Sequence, residues 1–275
     1  MSQINDKTLI YAGIVSYNPD IIRLNENINA IYPQVDKVLI VDNNSDNLSD
    51  VERVVMKYRN AILIKNNDNL GIAKALNQIM ETGLNEQVDW ILTLDQDSVV
   101  TDSLILQYRQ YIDLPNVGML TCIIKDRNAK GITSSEIEGE YEEVPRCYTS
   151  GCLTKVSAWN DSGHFDEKMF IDYVDYDMCM KLRECGYKIF RVNQIGLLHE
   201  LGHSKDVKLF NKKYVVSNHS PKRKYFIVRN WLYYNKKHSK ILNLRQEYKG
   251  FLRFVIFTII YEPNKLLKIK AMVHG

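Results

Sequence analysis

Residues Trp90 to Val100 read WILTLDQDSVV, an apolar run that stops abruptly in two carboxylates one residue apart. In an extended strand residues i and i+2 point to the same face, so Asp95 and Asp97 can address one cation together. Three earlier runs are built like this one. TLIYAGIVSYN from Thr8, KVLIVDNN from Lys37 and AILIKNN from Ala61 are just as continuous in apolar and β-branched residues, as expected of parallel strands covered on both faces. Helical patterns separate them. Ile72, Leu76, Ile79 and Met80 form an apolar stripe with Gly83 as its stop, and Leu104, Ile105, Tyr108 and Ile112 repeat it. The first ~115 residues therefore predict a doubly wound β-α-β-α-β-α-β unit.

Every run ends in a polar cluster: Asn18 with Asp20, Asp42 with Asn43 and Asn44, Asn66 with Asn67, and Asp95 with Asp97. Asn and Asp favour turns on their own account. In an open parallel sheet, however, the carboxyl ends of the strands share one edge, and ligands bind in the crevice beside it. Four clusters in step point to a single site.

From Val117 the pattern changes to isolated strands, VGMLTCIIK, CYTSGCLTKVS and KIFRVN, with a helix between the last two. That helix is expected to begin near Asp172, with Val174, Met178, Leu182 and Cys185 as its stripe and Gly186 as its stop. Asp175 and Asp177 fall off the stripe in its first turn, where the helix dipole favours carboxylates. Residues Glu136 to Glu143 are acidic and weakly patterned, and read as a loop.

Composition narrows the class. A chain of 275 residues with 45% hydrophobic content supports a large core, and a net charge of +3 gives no general case for binding nucleic acid. Five cysteines without CxxC spacing fit neither a disulfide framework nor a zinc ribbon. The N-terminus lacks the pattern of a secretory signal, and FLRFVIFTII is shorter than the ~20 residues of a spanning helix. A cytoplasmic protein is the expectation.

One Asp-x-Asp is expected by chance among 19 aspartates; its place after a buried strand gives this one its weight. VSYNPD, VDNNSDN, NLGIAKALNQ, LTLDQDS, YTSGCL, GHFDEKMFIDYVDYDMCMKLRECGYKI and LLHELG follow one another in order. With that set, the chain from about Ile10 to about Tyr234 resembles the family 2 glycosyltransferases, and within them the bacterial rhamnosyltransferase-like group. The resemblance implies a GT-A fold of class α/β: a Rossmann-like nucleotide-binding half at 1–115 with a mostly parallel sheet flanked by helices, an acceptor and catalytic half at 116–220, and C-terminal helices at 221–275.

It also implies a site. Asp95 and Asp97 would hold Mg²⁺ or Mn²⁺ against the diphosphate of a nucleotide-sugar, with Asp97 as direct ligand, Asp95 reaching ribose or metal, and His199 as third ligand. Asp42 would accept from the pyrimidine, Asn69, Gly71 and Lys74 would line the nucleotide pocket, and Arg229 of Y-F-x-x-R-N would contact the diphosphate. The family's base is the second residue of a Glu-Asp pair; here the matching dipeptide is Val174-Asp175, so the first acid is missing, Asp175 is the expected base and Asp172 its reserve. Ser150 and Gly151 match the acceptor loop, Trp159 could stack on a sugar, Phe165 reads as core, and His203 as a supporting residue. The donor would be dTDP-L-rhamnose, or a UDP-hexose handled by the same chemistry. The acceptor would be a saccharide or lipid-linked saccharide of a cell-surface polysaccharide.

Seven Lys or Arg among aromatics in SPKRKYFIVRNWLYYNKKHSK suit a solvated helix. Beyond them Leu252, Ile256, Ile259 and Ile260 form a stripe flanked by Lys249, Arg253, Lys265, Lys268 and Lys270, which suits peripheral contact with an anionic membrane or a homodimer. Two rivals fit less well. Haloacid-dehalogenase-like phosphatases share the hydrophobic-D-x-D-x-V pattern but usually open with that strand, which here has three before it. A non-catalytic sugar-binding scaffold would usually have lost Asp95, Asp97 or Asp175, and all three are present.

Overall fold

A computed structural model describes residues 8–126, 139–199, 205–209, 212–216 and 218–275. The chain divides into two compact units, one of Met1–Lys168 with Val174–Glu200, the other of Met169–Tyr173 with Leu201–Gly275.

The first unit begins with the four expected strands, β1 (Ile10–Ser16), β2 (Lys37–Asp42), β3 (Ala61–Lys65) and β4 (Trp90–Asp95), separated by helices α1 (Ile21–Ile31), α2 (Leu48–Val55) and α3 (Ile72–Asn85). They pair in parallel in the order β3-β2-β1-β4, so all four carboxyl ends lie on one edge. β1, β2 and β4 are buried almost throughout. β3 differs from the expectation: it is the outermost strand, and Ile62 is exposed. An edge strand has one neighbour, so apolar continuity overstated its burial.

The stripe of α3 packs as expected through Leu76, Ile79 and Met80. Gly83 is not its stop. The helix runs on to Asn85, and a Cβ at Gly83 would meet Ile91 Cδ1 at 2.4 Å; the glycine lets the helix lie close against β4. A two-residue strand follows, β5 (Val99–Val100), then α4 (Leu104–Tyr108), whose Leu104, Ile105 and Tyr108 enter the main core.

The remaining strands extend the sheet: β6 (Val117–Asp126), β7 (Tyr141–Glu143), β8 (Cys152–Lys155) and, after helices α5 (Val156–Asp161) and α6 (Val174–Glu184), β9 (Lys188–His199). Among the described residues the sheet has nine strands in the order β3-β2-β1-β4-β8-β6-β9-β5, with β7 on β9. β8 runs antiparallel to both β4 and β6. Three expectations are corrected here. Of the CYTSGCLTKVS run only Cys152–Lys155 is strand, the preceding residues forming a turn. Tyr141–Glu143 is a strand and not loop, because Tyr141 packs edge-on against Phe190 and Tyr111 and Glu143 pairs with Lys188 at 3.0 Å; of the rest of that acidic run, 139–140 form a bend and 136–138 lie outside the described residues. Finally, α6 starts at Val174, since Asp172 and Tyr173 both have φ of +66° and cannot begin a right-handed helix. Its Val174, Met178 and Leu182 are buried, but Cys185 is exposed and Asp177 is fully buried beside Lys181, 3.5 Å away.

The second unit holds an antiparallel pair, β10 (Lys205–Leu209) and β11 (Lys212–Val216), and three helices, α7 (Pro221–Lys237), α8 (Leu244–Tyr261) and α9 (Lys265–His274). Ser220 caps α7 by accepting from Arg223 N at 3.3 Å, with Pro221 at the first helical position. The three helices meet on a buried ion cluster. Glu262 accepts from Lys224 at 2.6 Å and from Lys268 at 2.8 Å, and all three are at most 3% exposed. Thr258 and Asn218 complete the ammonium groups, which is what allows charges to stay buried.

Candidate active site

The site is assembled at the carboxyl edge of β1 to β4. Asp95, the last residue of β4, is exposed, and Asp97 is half-buried in the turn before β5. That turn is held on every side by neutral groups. Asn27 of α1 donates Nδ2 to Asp95 O at 2.7 Å, Asp95 N donates to Ser150 Oγ at 3.0 Å, and Ser150 and Ser98 hydroxyls lie 2.8 Å apart. Tyr17 N donates to Gln96 Oε1 at 2.8 Å. The backbone is thus fixed while the Asp95 and Asp97 side chains are left at the rim.

Ser150, expected on the acceptor side, is therefore also a support of the aspartate turn. Gly151 follows with φ of +81°, a conformation that favours glycine. Its N–H donates to Thr93 O at 2.8 Å and its carbonyl accepts from the buried Tyr108 hydroxyl at 2.6 Å. Burial pushes the Tyr108 phenol well above its ordinary range, so it remains a donor. The same turn reaches toward α6. Tyr148 packs on Tyr176 with ring centroids 6.3 Å apart, the Arg146 guanidinium lies 4.9 Å from the Tyr176 ring, and Cys147 Sγ is 3.9 Å from Cys179 Sγ. Residues 146–151 accordingly connect the aspartate turn of β4 with the first turn of α6, where Asp175 is half-buried and accepts from Tyr176 N at 2.9 Å. Burial, followed by Tyr148 and Asp175, holds the Tyr176 phenol well above its usual range.

Strand register places a further residue here. Val99 of β5 pairs with Leu198 of β9, so the backbone of His199 comes one residue after that rung and Asp97 two residues before it. His203 lies outside the described residues.

The other nucleotide-side residues line the same edge with partners of their own. Asp42 is fully buried; it accepts from Ser45 N at 2.8 Å, Ser45 Oγ at 2.5 Å and Ser16 Oγ at 3.0 Å. It ties the ends of β1 and β2 together and has at most one lone-pair direction left for a base. Asn69 Oδ1 accepts from Gly71 N at 3.0 Å, and Gly71 O accepts from Asn43 Nδ2 at 3.2 Å. Asn66 bonds both Asn43 and Gln78. Lys74 pairs with Glu167 at 3.1 Å. Burial opposes the charge of Glu167, but the bonds from Asn77 and Lys74 together prevail and hold the carboxyl below its ordinary value.

Two expected acceptor-side residues sit elsewhere. Trp159 has no exposed face: it is 0% exposed and stacked on His164 at 4.0 Å, so it packs the core instead of meeting a sugar. Phe165 is core, as read from sequence, and its N–H donates to Asn77 Oδ1 at 2.9 Å. Asp172 belongs to the second unit, where the Arg223 guanidinium engages both its oxygens at 2.9 to 3.2 Å. Arg229, also in the second unit, is half-buried, donates to Asn230 Oδ1 at 3.0 Å and lies over the Phe226 ring.

Asn27 escaped the sequence reading, although it carries a signal. It lies in the apolar stripe of α1 with Leu24, Ile28 and Ile31, and is as fully buried as they are. A polar residue in such a stripe must have a polar partner to address.

The donor set also bears on a cation. Among the described residues no group of three or more His, Cys, Asp or Glu converges to hold a metal ion by itself. Two carboxylates at one turn fit Mg²⁺ or Mn²⁺ in the manner of nucleotide enzymes, where one or two carboxylates share the ion with substrate phosphates. They do not fit a cage made wholly of protein.

Comparison with known proteins agrees with this fold. Residues 12–165 match the profile of the family described as glycosyl transferase family 2. The chain is 29% identical to the dTDP-rhamnosyl transferase RfbF of Shigella flexneri, over 96% of this chain and 93% of that one. Among solved structures it is similar in fold to S. aureus TarS 1–349 in complex with UDP-GlcNAc, with a TM-score of 0.63 at 16% identity over 96% of this chain and 79% of that one. It is also similar to GalNAc-T7 with UDP, GalNAc and Mn²⁺, with a TM-score of 0.60 at 12% identity over 86% and 52%.

Proposed function

Since the chain belongs to glycosyl transferase family 2 and is a glycosyltransferase of GT-A fold, we propose that it moves L-rhamnose from dTDP-L-rhamnose to a hydroxyl of a saccharide or lipid-linked saccharide, in cell-surface polysaccharide assembly at the cytoplasmic side of the membrane. The observation that carries this reading is the aspartate turn at the end of β4, fixed by Asn27 and Ser150 with its two carboxylates at the ligand-binding edge. The likeness to a dTDP-rhamnosyl transferase along nearly the whole chain supports the choice of donor.

In this reading Asp97, with Asp95 and His199, would hold the divalent cation, which when bound supplies a Lewis acid against the charge of the diphosphate. The chain's own residues do the rest. Asn69 and Gly71 border the nucleotide, and Asp42 keeps the ends of β1 and β2 in place beside it. Asp175 accepts the proton of the acceptor hydroxyl as that oxygen attacks the anomeric carbon; the bond to the diphosphate breaks with its electron pair, and the sugar configuration inverts. A single displacement needs no covalent enzyme intermediate. The turn at 146–151 sets the distance between carboxylate rim and base.

The test is nucleotide diphosphate release from dTDP-L-rhamnose and from UDP-glucose, with mixed membrane saccharides as acceptors. Faster release of dTDP is the expected result. Release of UDP alone would reassign the donor, and release of neither by a protein that binds neither nucleotide would overturn the proposal.

A further inference from the structure

The second unit carries a face that the transfer reaction does not use. Beyond the first turn of α8 the exposed positions are Tyr248, Lys249, Leu252, Arg253, Ile256, Ile259 and Ile260. They recur at the spacing of a single helical stripe. Leu252 is 60% exposed and Ile260 50%, so the stripe presents large aliphatic side chains outward. The opposite side of the same helix, with Phe257 and Thr258, faces the unit's interior. α9 adds Leu266 at 85% exposure and Val273 at 78%, with Lys265 just before them and Lys270 between them, both exposed.

Charge identifies what covers this face. Residues 221–275 contain thirteen Lys or Arg and two carboxylates, Glu247 and Glu262. Glu262 is buried between Lys224 and Lys268 and faces no solvent. The rest of the chain, with twenty-three Lys or Arg and thirty-one Asp or Glu, is acidic. Positive charge is therefore concentrated in the C-terminal helices, and Lys249 and Arg253 place part of it on the same face of α8 as the aliphatic side chains. No helix among the described residues is long and apolar enough to cross a membrane, and the stripe on α8 spans only ~20 Å at 1.5 Å per residue. We infer that α8 lies in the headgroup layer of an anionic membrane, its aliphatic side chains entering the acyl boundary and Lys249 and Arg253 meeting lipid phosphates. Apolar insertion and attraction to anionic headgroups reinforce each other in such a helix.

The experiment is flotation of the full chain with vesicles of phosphatidylcholine alone and with 30% phosphatidylglycerol. Binding to the anionic vesicles, weakened by raised salt, is expected. Each basic side chain at an anionic surface is worth about fivefold in binding, so Lys249→Glu with Arg253→Glu should lose roughly 30-fold or more. Leu252→Ser with Ile256→Ser should also detach the protein while leaving binding of dTDP intact. Both pairs change exposed side chains, and dTDP binding checks that the first unit stays folded. The inference is overturned if the wild type does not float with anionic vesicles, or if neither pair alters flotation. It is equally overturned if sedimentation shows a dimer that those substitutions dissolve, which would assign the face to a second copy. Flotation reads no nucleotide transfer, so the flotation result is independent of the donor.

Discussion

At the scale of single residues, the account separates groups that act on substrate from groups that hold them. Asp175→Asn removes the proton acceptor but keeps its size, and turnover should fall about 10² to 10⁴-fold, with dTDP binding unchanged by calorimetry. A variant retaining near-normal turnover would reassign the base. Asn27 touches no substrate in this account. Asn27→Ala breaks the bond to Asp95 O and should lower stability by about 1 to 3 kcal/mol in denaturant unfolding, and should also weaken Mn²⁺-dependent dTDP binding; a stability loss with unchanged binding would make Asn27 merely structural. The carboxylates were legible because their chemistry is local: Asp95 and Asp97 end an apolar run. The supports were not, since Asn27 meets Asp95 across 68 residues and Ser150 meets it across 55. Trp159 was misread for a related reason. Aromatic character is visible in sequence, whereas complete burial against His164 depends on how α5 packs.

At the scale of elements, continuous apolar runs named β1, β2 and β4 because parallel strands covered on both faces need nothing polar. The same logic hid β7, a largely exposed strand held by one tyrosine laid against Phe190, and it hid the true start of α6, which two left-handed residues fix. Gly83 tests the packing of α3 on β4. Gly83→Ala should raise intrinsic helix propensity yet destabilise the protein, because the new methyl overlaps Ile91; overpacking of this kind costs about 1 to 3 kcal/mol. Denaturant unfolding decides the sign, and a more stable variant would show that the glycine was retained for helix ending after all.

At the scale of the molecule, the two units should respond differently to acid. In the second unit burial, with Arg223 next in effect, pushes the His219 imidazole down to about 4 from its ordinary 6.5. The folded-state value is depressed, so the unfolded chain binds more protons between those two values and stability falls as pH drops through that window. Glu262 works in the same direction at lower pH. Burial raises it, but the bonds from Lys224 and Lys268 outweigh burial and hold it below its usual value, so protonating it removes the partner of two buried ammonium groups. Lys224 itself is lowered, chiefly by burial, which shows how far it depends on that carboxylate. The thermal midpoint should decline from pH 6.5 toward 4, and His219→Asn should flatten the decline; an unchanged slope would remove His219 from the account.

The central claim is that the turn after β4 holds a divalent cation for a nucleotide diphosphate, and calorimetric titration of dTDP into the protein tests it most directly, with Mn²⁺ and then with EDTA. Binding that requires Mn²⁺ and is lost in Asp97→Asn is the predicted result. Equal binding in EDTA, or no effect of Asp97→Asn, would contradict it.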